Sequence, residues 1–299
     1  MRGNEYPLIS VVMITFAHEA YIKQAVEGVL MQNYNGSVEL LISNDKSPDN
    51  TELIVKEIIA NHPNGSWIKY TSHAKNLGMM PNFIWTLQQA KGKYIAICEG
   101  DDYWTDPSKL QKQVDFLESN DNVVLCGTNY SKLSNNKIIE INRFKDVSFF
   151  DHFNIFADNK VATLTSIFRN DFTIPNYFYE CNFGDMILYL ELTKNGGKIV
   201  VLPFNSSTYR IHDLGVYSGT PYLKNVEKSF SDVLLFMNHN PKNLKYISAT
   251  FLTYFKEGFV HLVRAILNRP YSDFKFSFIY LNMIFNVIKK QISVFKIIR

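Results

Sequence analysis

The stretch "SVVMITFAHEAYIKQAVEGVLMQNY", residues 10–34, changes its period halfway along. Within "LISVVMITF" (8–16) the run is apolar and β-branched, too short for a buried helix, and it reads as a buried strand. From Tyr21 to Gln32 the apolar positions Ile22, Val26, Val29 and Leu30 recur at helical spacing. A strand buried on both faces that feeds an amphipathic helix is a βα unit, the building block of a parallel sheet.

The unit repeats. "VELLIS" (38–43) is followed by the turn-rich "NDKSPDNT" and a helix bearing Leu53, Ile54, Ile58 and Ile59. "WIKYTS" (67–72) precedes a helix over about 81–90, and "KYIAIC" (93–98) precedes a helix over 109–119 and then "VVLCGT" (123–128). The pattern predicts an α/β fold with a doubly wound, mostly parallel sheet flanked by helices. In such sheets ligands bind at the carboxyl ends of the strands, where Thr15, Asp45 and the pair Asp101 and Asp102 are expected to converge.

The segment "YIAICEGDDYW" (94–104) ends an apolar run in Glu99, Asp101 and Asp102. Carboxylates crowded at the edge of a core are costly without a cation beside them. A divalent ion, magnesium or manganese, takes one or two carboxylates and fills its shell with water and phosphate oxygens, so a diphosphate completes the set. The alternative is that Asp101 caps a turn and Asp102 the following helix.

With 299 residues, 46% hydrophobic and 14% aromatic, the chain can bury the core of one large α/β domain and an appendage. A net charge of +3 gives no case for nucleic acid as a partner. That total hides a split, because residues 256–299 hold eight basic residues against Glu257 and Asp273, leaving the tail at +6 and the rest at −3. Cys98, Cys126 and Cys181 form no CxxC pair and read as reduced packing residues of a cytoplasmic protein.

Five motifs in order resemble the family 2 glycosyltransferases, inverting enzymes of the GT-A fold. Their opening "SVIIPTYN…YI…AI.SVL.Q.Y" is matched by residues 10–34, their "DDGSTD.T" by "NDKSPDNT" (44–51) and their "DSDD" by "EGDD" (99–102). "NFGDMILYLEL" (182–192) resembles the family's acidic site before a helix, and "STYRIHDLGVYS" (207–218) its later basic and histidine element. The resemblance covers residues 8–220 and implies a GT-A nucleotide-sugar-binding and catalytic domain over 1–220, followed by a helical, basic and aromatic extension over 221–299.

By that resemblance, Thr15, Phe16 and Glu19 line the nucleotide pocket, Asp45 accepts from a uracil ring, and Asp101 contacts ribose and phosphate. Asp102 is the metal ligand, with His212 a further ligand or a structural histidine. Arg210 approaches the diphosphate, and Lys75 is a nucleotide contact or a solvated surface lysine. Asp185 is the base that deprotonates the acceptor hydroxyl, or the cap of the helix that begins beside it. The implied cofactor is a divalent metal, manganese or magnesium. The implied partners are a nucleotide-sugar donor, UDP-linked on the strength of Asp45, and a glycan or lipid-linked acceptor of bacterial surface polysaccharide or lipopolysaccharide assembly.

Ala17, Asn44 and Lys46 depart from the family's Asn, Asp and Gly, and Glu99 from its Asp. A sugar-nucleotide pyrophosphorylase would need a Gly-rich phosphate loop after the first strand, and "ITFAHEAY" has no glycine. A non-catalytic interaction protein would not need the acidic positions together. In the tail, 276–288 is a run of 13 uncharged residues, too short to span a membrane. Lys275, Asn282, Asn286, Lys289, Ser293 and Lys296 draw one polar stripe on a helix, which suits packing on the body or a second copy of the chain, or lying in the anionic inner face of a membrane.

Overall fold

The computed structural model describes residues 6–240 and, beyond them, Asn282 and Phe285. Strands β1 (Ile9–Thr15), β2 (Val38–Asn44), β3 (Ile68–Ser72) and β4 (Tyr94–Ile97) alternate with helices α1 (Ile22–Leu30), α2 (Thr51–Asn61) and α3 (Met79–Gln89). There follow β5 (Tyr103–Trp104), α4 (Lys109–Glu118), β6 (Val123–Ser134), β7 (Lys137–Ile141), β8 (Ser148–Phe150), α5 (His152–Ala157), β9 (Ile167–Arg169), α6 (Gly184–Thr193), β10 (Lys198–Arg210) and α7 (Tyr222–His239). The strands form one sheet of main order β3-β2-β1-β4-β9-β6-β10-β5, with β7 added to β6 and β8 to β10. In that order only β9 and β5 run against the common direction.

Alternation along each strand divides the core. Val11 and Met13 of β1, Leu40 and Ile42 of β2, and Tyr94 and Ala96 of β4 face α1, α2 and α4. Val12, Leu41, Ile95 and Ile97 face the other way, onto α3, α5, α6 and α7. Both faces are covered, which is why these strands read as unbroken apolar runs. Gly28 of α1 lies so close to β5 that a Cβ there would meet the Trp104 backbone nitrogen at 2.9 Å.

The expected βα units all form. The addition is β9, a short strand without a counterpart in the expected pattern, which lies antiparallel between β4 and β6. Ile167 and Phe168 are fully buried there, and Arg169 donates to the carbonyls of Val123 at 2.8 Å and Leu117 at 2.7 Å. The short strand thus closes the gap with both packing and backbone hydrogen bonds. β6 and β7 join through Asn135 and Asn136, both at positive φ as a type I′ hairpin turn needs. All three cysteines are free and buried.

Helix α7 sets Val233, Phe236 and Met237 into the core shared with α6. The polar stripe expected between 275 and 296 lies outside the described residues, apart from helical, exposed Asn282 and Phe285. Among the described residues no helix is long and apolar enough to cross a membrane.

Candidate active site

Parallel pairing of β1 with both β2 and β4 brings the segments after Thr15, Asn44 and Ile97 to one end of the sheet. The chain turns sharply at Gly100, whose N–H donates to the Ile14 carbonyl at 3.0 Å. A Cβ at Gly100 would stand 2.8 Å from Thr15 Oγ1 and 2.9 Å from His18 Nδ1, so only glycine permits this approach.

Around that turn sit three carboxyl groups. Burial, then the charges of Asp101 and Asp185, push Glu99 well above the usual carboxylate range. Burial likewise raises Asp102, helped by the charges of Asp101 and Glu99. Asp101 moves the other way: burial raises it, but the hydrogen bond from His212 and the charge of His18 outweigh that and hold it low. Burial and mutual repulsion thus oppose ionisation of Asp102 and Glu99 while the histidines favour it at Asp101, and a cation arriving here would relieve the repulsion.

Arg210 and His212, at the end of β10, complete this cluster. Arg210 donates its backbone N–H to Asp102 Oδ1 at 2.8 Å and its Nε to the Asp101 carbonyl at 2.8 Å. Its Nη2 reaches Gln24 Oε1 at 2.7 Å, and its guanidinium lies over Tyr21 at 4.7 Å and Tyr103 at 5.1 Å. The His212 Nε2–H donates to Asp101 Oδ2 at 3.0 Å, because an ionised carboxylate can only accept. His18 Nε2 approaches the same oxygen at 3.9 Å, and burial holds this histidine below its usual value although the Asp101 charge opposes it.

The other expected residues spread along the same strand ends. Asp45 is buried, and its two oxygens accept from the N–H groups of Leu77 at 2.6 Å and Gly78 at 2.9 Å, fixing the loop after β3. Thr15 is buried beside it and its carbonyl accepts from the Asp45 N–H at 2.9 Å. Phe16 is exposed, as is Lys75 in the loop that Asp45 holds. Glu19 braces the second motif, accepting from the backbone and side chain of Asn50 at 2.9 Å and 3.0 Å.

Asp185 stands in the first turn of α6, but it is not the cap. The chain enters α6 through Asn182 and Phe183, whose N–H groups both donate to Asp232 of α7, at 2.8 Å and 2.7 Å. The Asp185 carboxylate is left to accept from Asn159 Nδ2 at 2.8 Å and Thr163 Oγ1 at 3.4 Å. Burial raises its pKa above the ordinary value, the backbone N–H of Met186 and then the Asn159 hydrogen bond oppose the rise, and the Asp232 charge adds to it.

Among the described residues no three His, Cys, Asp or Glu side chains form a metal-holding group. What they offer is a partial shell. Thr15 Oγ1, His18 Nδ1, Glu99 Oε2 and His212 Nδ1 are buried without hydrogen-bond partners among the described residues. Asp102 has one oxygen held by Arg210 and the other uncommitted among the same residues. A carboxylate oxygen with an imidazole nitrogen whose far side is held by Asp101 fits a divalent ion that draws its other ligands from water and phosphate.

Reading the sequence missed His18, Tyr21 and Gln24, which hold Asp101 and Arg210, and Asn159, Thr163 and Asp232, which set Asp185 and its helix. Tyr21 was within reach, since it matches the Tyr of the "YI" pair in the family's opening motif.

The profile of the family described as glycosyl transferase family 2 matches residues 10–175. An uncharacterised Mycobacterium tuberculosis protein is 31% identical over 214 residues, which are 70% of this chain and 60% of that protein. The chain thus spans only part of the length of its mycobacterial relatives. The Escherichia coli UDP-Glc:alpha-D-GlcNAc-diphosphoundecaprenol beta-1,3-glucosyltransferase WfgD is 26% identical over 212 residues, 71% of this chain and 80% of that one. Among solved structures, S. aureus TarS 1-349 in complex with UDP-GlcNAc superposes with a TM-score of 0.64 at 17% identity, over 94% of this chain and 80% of that chain. The mannosyltransferase PcManGT from Pyrobaculum calidifontis, in complex with GDP-Man and Mn2+, gives 0.62 at 12% identity over 96% and 87%. These likenesses establish the GT-A fold, and with the matched profile they lead to one conclusion: the chain belongs to glycosyl transferase family 2.

Proposed function

We propose that this chain transfers a sugar, with inversion, from a UDP-sugar to a hydroxyl of a glycan or lipid-linked acceptor in bacterial surface polysaccharide or lipopolysaccharide assembly. The observation that carries the reading is the acidic turn at the end of β4, where Asp102 is held by the backbone N–H of Arg210, together with a second carboxylate, Asp185, held by Asn159 in the first turn of α6. The donor class is supported by TarS complexes with UDP and UDP-GlcNAc, and the acceptor class by the name of WfgD. The +6 tail supports a setting at the anionic inner face of a membrane.

The chemistry follows from the groups in place. The acceptor hydroxyl gives its proton to the Asp185 carboxylate as its oxygen attacks the anomeric carbon, and the bond from that carbon to the diphosphate breaks with the electron pair leaving on the nucleotide. Burial makes Asp185 a stronger base than a solvated carboxylate, which suits it to the transfer. Asp102 and His212 would hold a divalent ion, manganese or magnesium, which would supply positive charge to the leaving diphosphate. Asp101 keeps the His212 ring oriented, and Arg210 fixes the Asp102 carboxylate through its backbone N–H. Incubating the protein with a panel of UDP-, GDP- and thymidine-linked sugars, with and without manganese, tests class, donor and metal together. Manganese-dependent release of UDP from one UDP-sugar is expected, and release from none of the panel contradicts the reading.

A further inference from the structure

The loop between β10 and α7 joins the two halves of this site and carries an aromatic residue that the chemistry above does not use. It starts at His212 and is tied into a compact unit: the His212 carbonyl accepts from the Gly215 N–H at 3.1 Å and Ser218 Oγ at 2.9 Å, and the Gly215 carbonyl accepts from the Gly219 N–H at 2.7 Å. Buried Asn225 of α7 donates Nδ2 to the Tyr217 carbonyl at 2.8 Å. These bonds fix Tyr217 while leaving its side chain 53% exposed. The tyrosine ring stands 5.5 Å from the ring of Phe183, tilted by 58°. Phe183 is itself pinned, with its N–H on Asp232 and the Lys228 ammonium 5.5 Å over its ring. Phe183 stands at the cap position of α6, whose first turn carries Asp185, so the ring contact places Tyr217 against the end of the helix that bears the proposed base.

An exposed aromatic ring whose backbone is already fixed has little freedom left to lose when a ligand covers it, which favours binding there. A pyranose ring presents one face of C–H groups, and that face covers an aromatic ring while its hydroxyls stay free to reach a neighbouring carboxylate. Building on the assignment of Asp185 as base, we infer that Tyr217, backed by Phe183, is the platform on which the acceptor's pyranose ring stacks, and so helps to select a sugar acceptor over water or a simple alcohol. Since His212 and Tyr217 belong to one hydrogen-bonded loop, the donor and acceptor halves of the site are positioned by the same segment.

The test is binding, which does not require turnover. Saturation-transfer NMR is run on the full chain with UDP, manganese and a panel of p-nitrophenyl glucosides, galactosides and N-acetylglucosaminides. At least one glycoside is expected to receive saturation on the C–H protons of one sugar face. Tyr217→Ala should weaken its binding roughly tenfold, and Tyr217→Phe, which keeps the ring, should bind it within about twofold of the native chain. Affinity for UDP, measured on the same samples, should be unmoved and reports that the variants are folded. Equal glycoside binding by Tyr217→Ala and the native chain, or no saturation of any glycoside by the native chain, overturns the platform. Failure of Asp185 as base would show separately, as an Asp185→Asn variant with native transfer rates.

Discussion

Asn159 donates its side-chain amide to Asp185 at 2.8 Å, across 26 residues of sequence, and so fixes the carboxylate to which the base role is assigned. Burial raises the Asp185 pKa and this hydrogen bond lowers it. A base works only when deprotonated, so turnover should fall as pH drops through the Asp185 pKa, with the acid limb displaced above the ordinary aspartate value of 3.8. Asp185→Asn should cut turnover by about 10² or more with donor affinity nearly unchanged. Asn159→Ala should move the acid limb further up in pH, since the opposing hydrogen bond is gone. A pH–rate profile of the three proteins checks both statements, and an acid limb that stays in place in Asn159→Ala contradicts the second.

Lys109 is fully buried, its ammonium 4.1 Å from the Trp104 ring centre and 2.9 Å from Gln113 Oε1, with no carboxylate paired to it among the described residues. Burial lowers its pKa from 10.5 to about 7. Between those values the unfolded chain binds a proton that the folded chain does not, so this group makes stability rise with pH from about 7 to about 10.5 and leaves it flat below about 7. The whole effect is about 4–5 kcal/mol. Lys109→Met should therefore raise Tm at pH 7, and the gain should shrink as pH approaches 10. Thermal melts across that range decide it: a gain independent of pH would mean that Lys109 is not the titrating group.

Ala17 and Lys46 adopt left-handed backbone, at φ 57° and 61°. These are two of the positions where the chain departs from the Asn and Gly of the family motifs, residues that tolerate this conformation. Ala17→Gly and Lys46→Gly should each stabilise the fold by about 1 kcal/mol, because the strain of a side chain at positive φ is removed. Urea unfolding of each variant measures this, and a loss of stability in both would show that their side-chain contacts outweigh the strain.

The strands legible in the sequence were β1, β2, β4 and the start of β6, whose apolar runs are buried on both faces, and the more exposed β3. β5 and β9 were not legible, because two or three residues carry no period, and β9 owes its place to Arg169 and to the gap it fills. At the site, Asp101 and Asp102 could be picked out from their position at a strand end, and Asp185 through the resemblance to the family's acidic site. The groups that orient them could not: Gln24 meets Arg210 across 186 residues and Asp232 meets Asn182 across 50, and no local pattern records such pairs. Asp185 shows the same limit in a milder form, since a sequence cannot tell a cap from a base, whereas in the structure Phe183 stands at the cap position and Asp232 holds the entry to the helix.

The most direct measurement is the affinity for UDP with and without manganese, by calorimetry, in the native chain and in Asp102→Asn. Asp102 stands raised above the usual carboxylate range by burial and by Asp101 and Glu99, an arrangement that a cation relieves. Manganese should tighten UDP binding to the native chain. Asp102→Asn should lose that enhancement and all turnover while its circular dichroism stays native. Manganese-enhanced UDP binding retained in Asp102→Asn, or full turnover of the native chain in excess chelator, would contradict the assignment of Asp102 as the residue that holds the metal against the diphosphate.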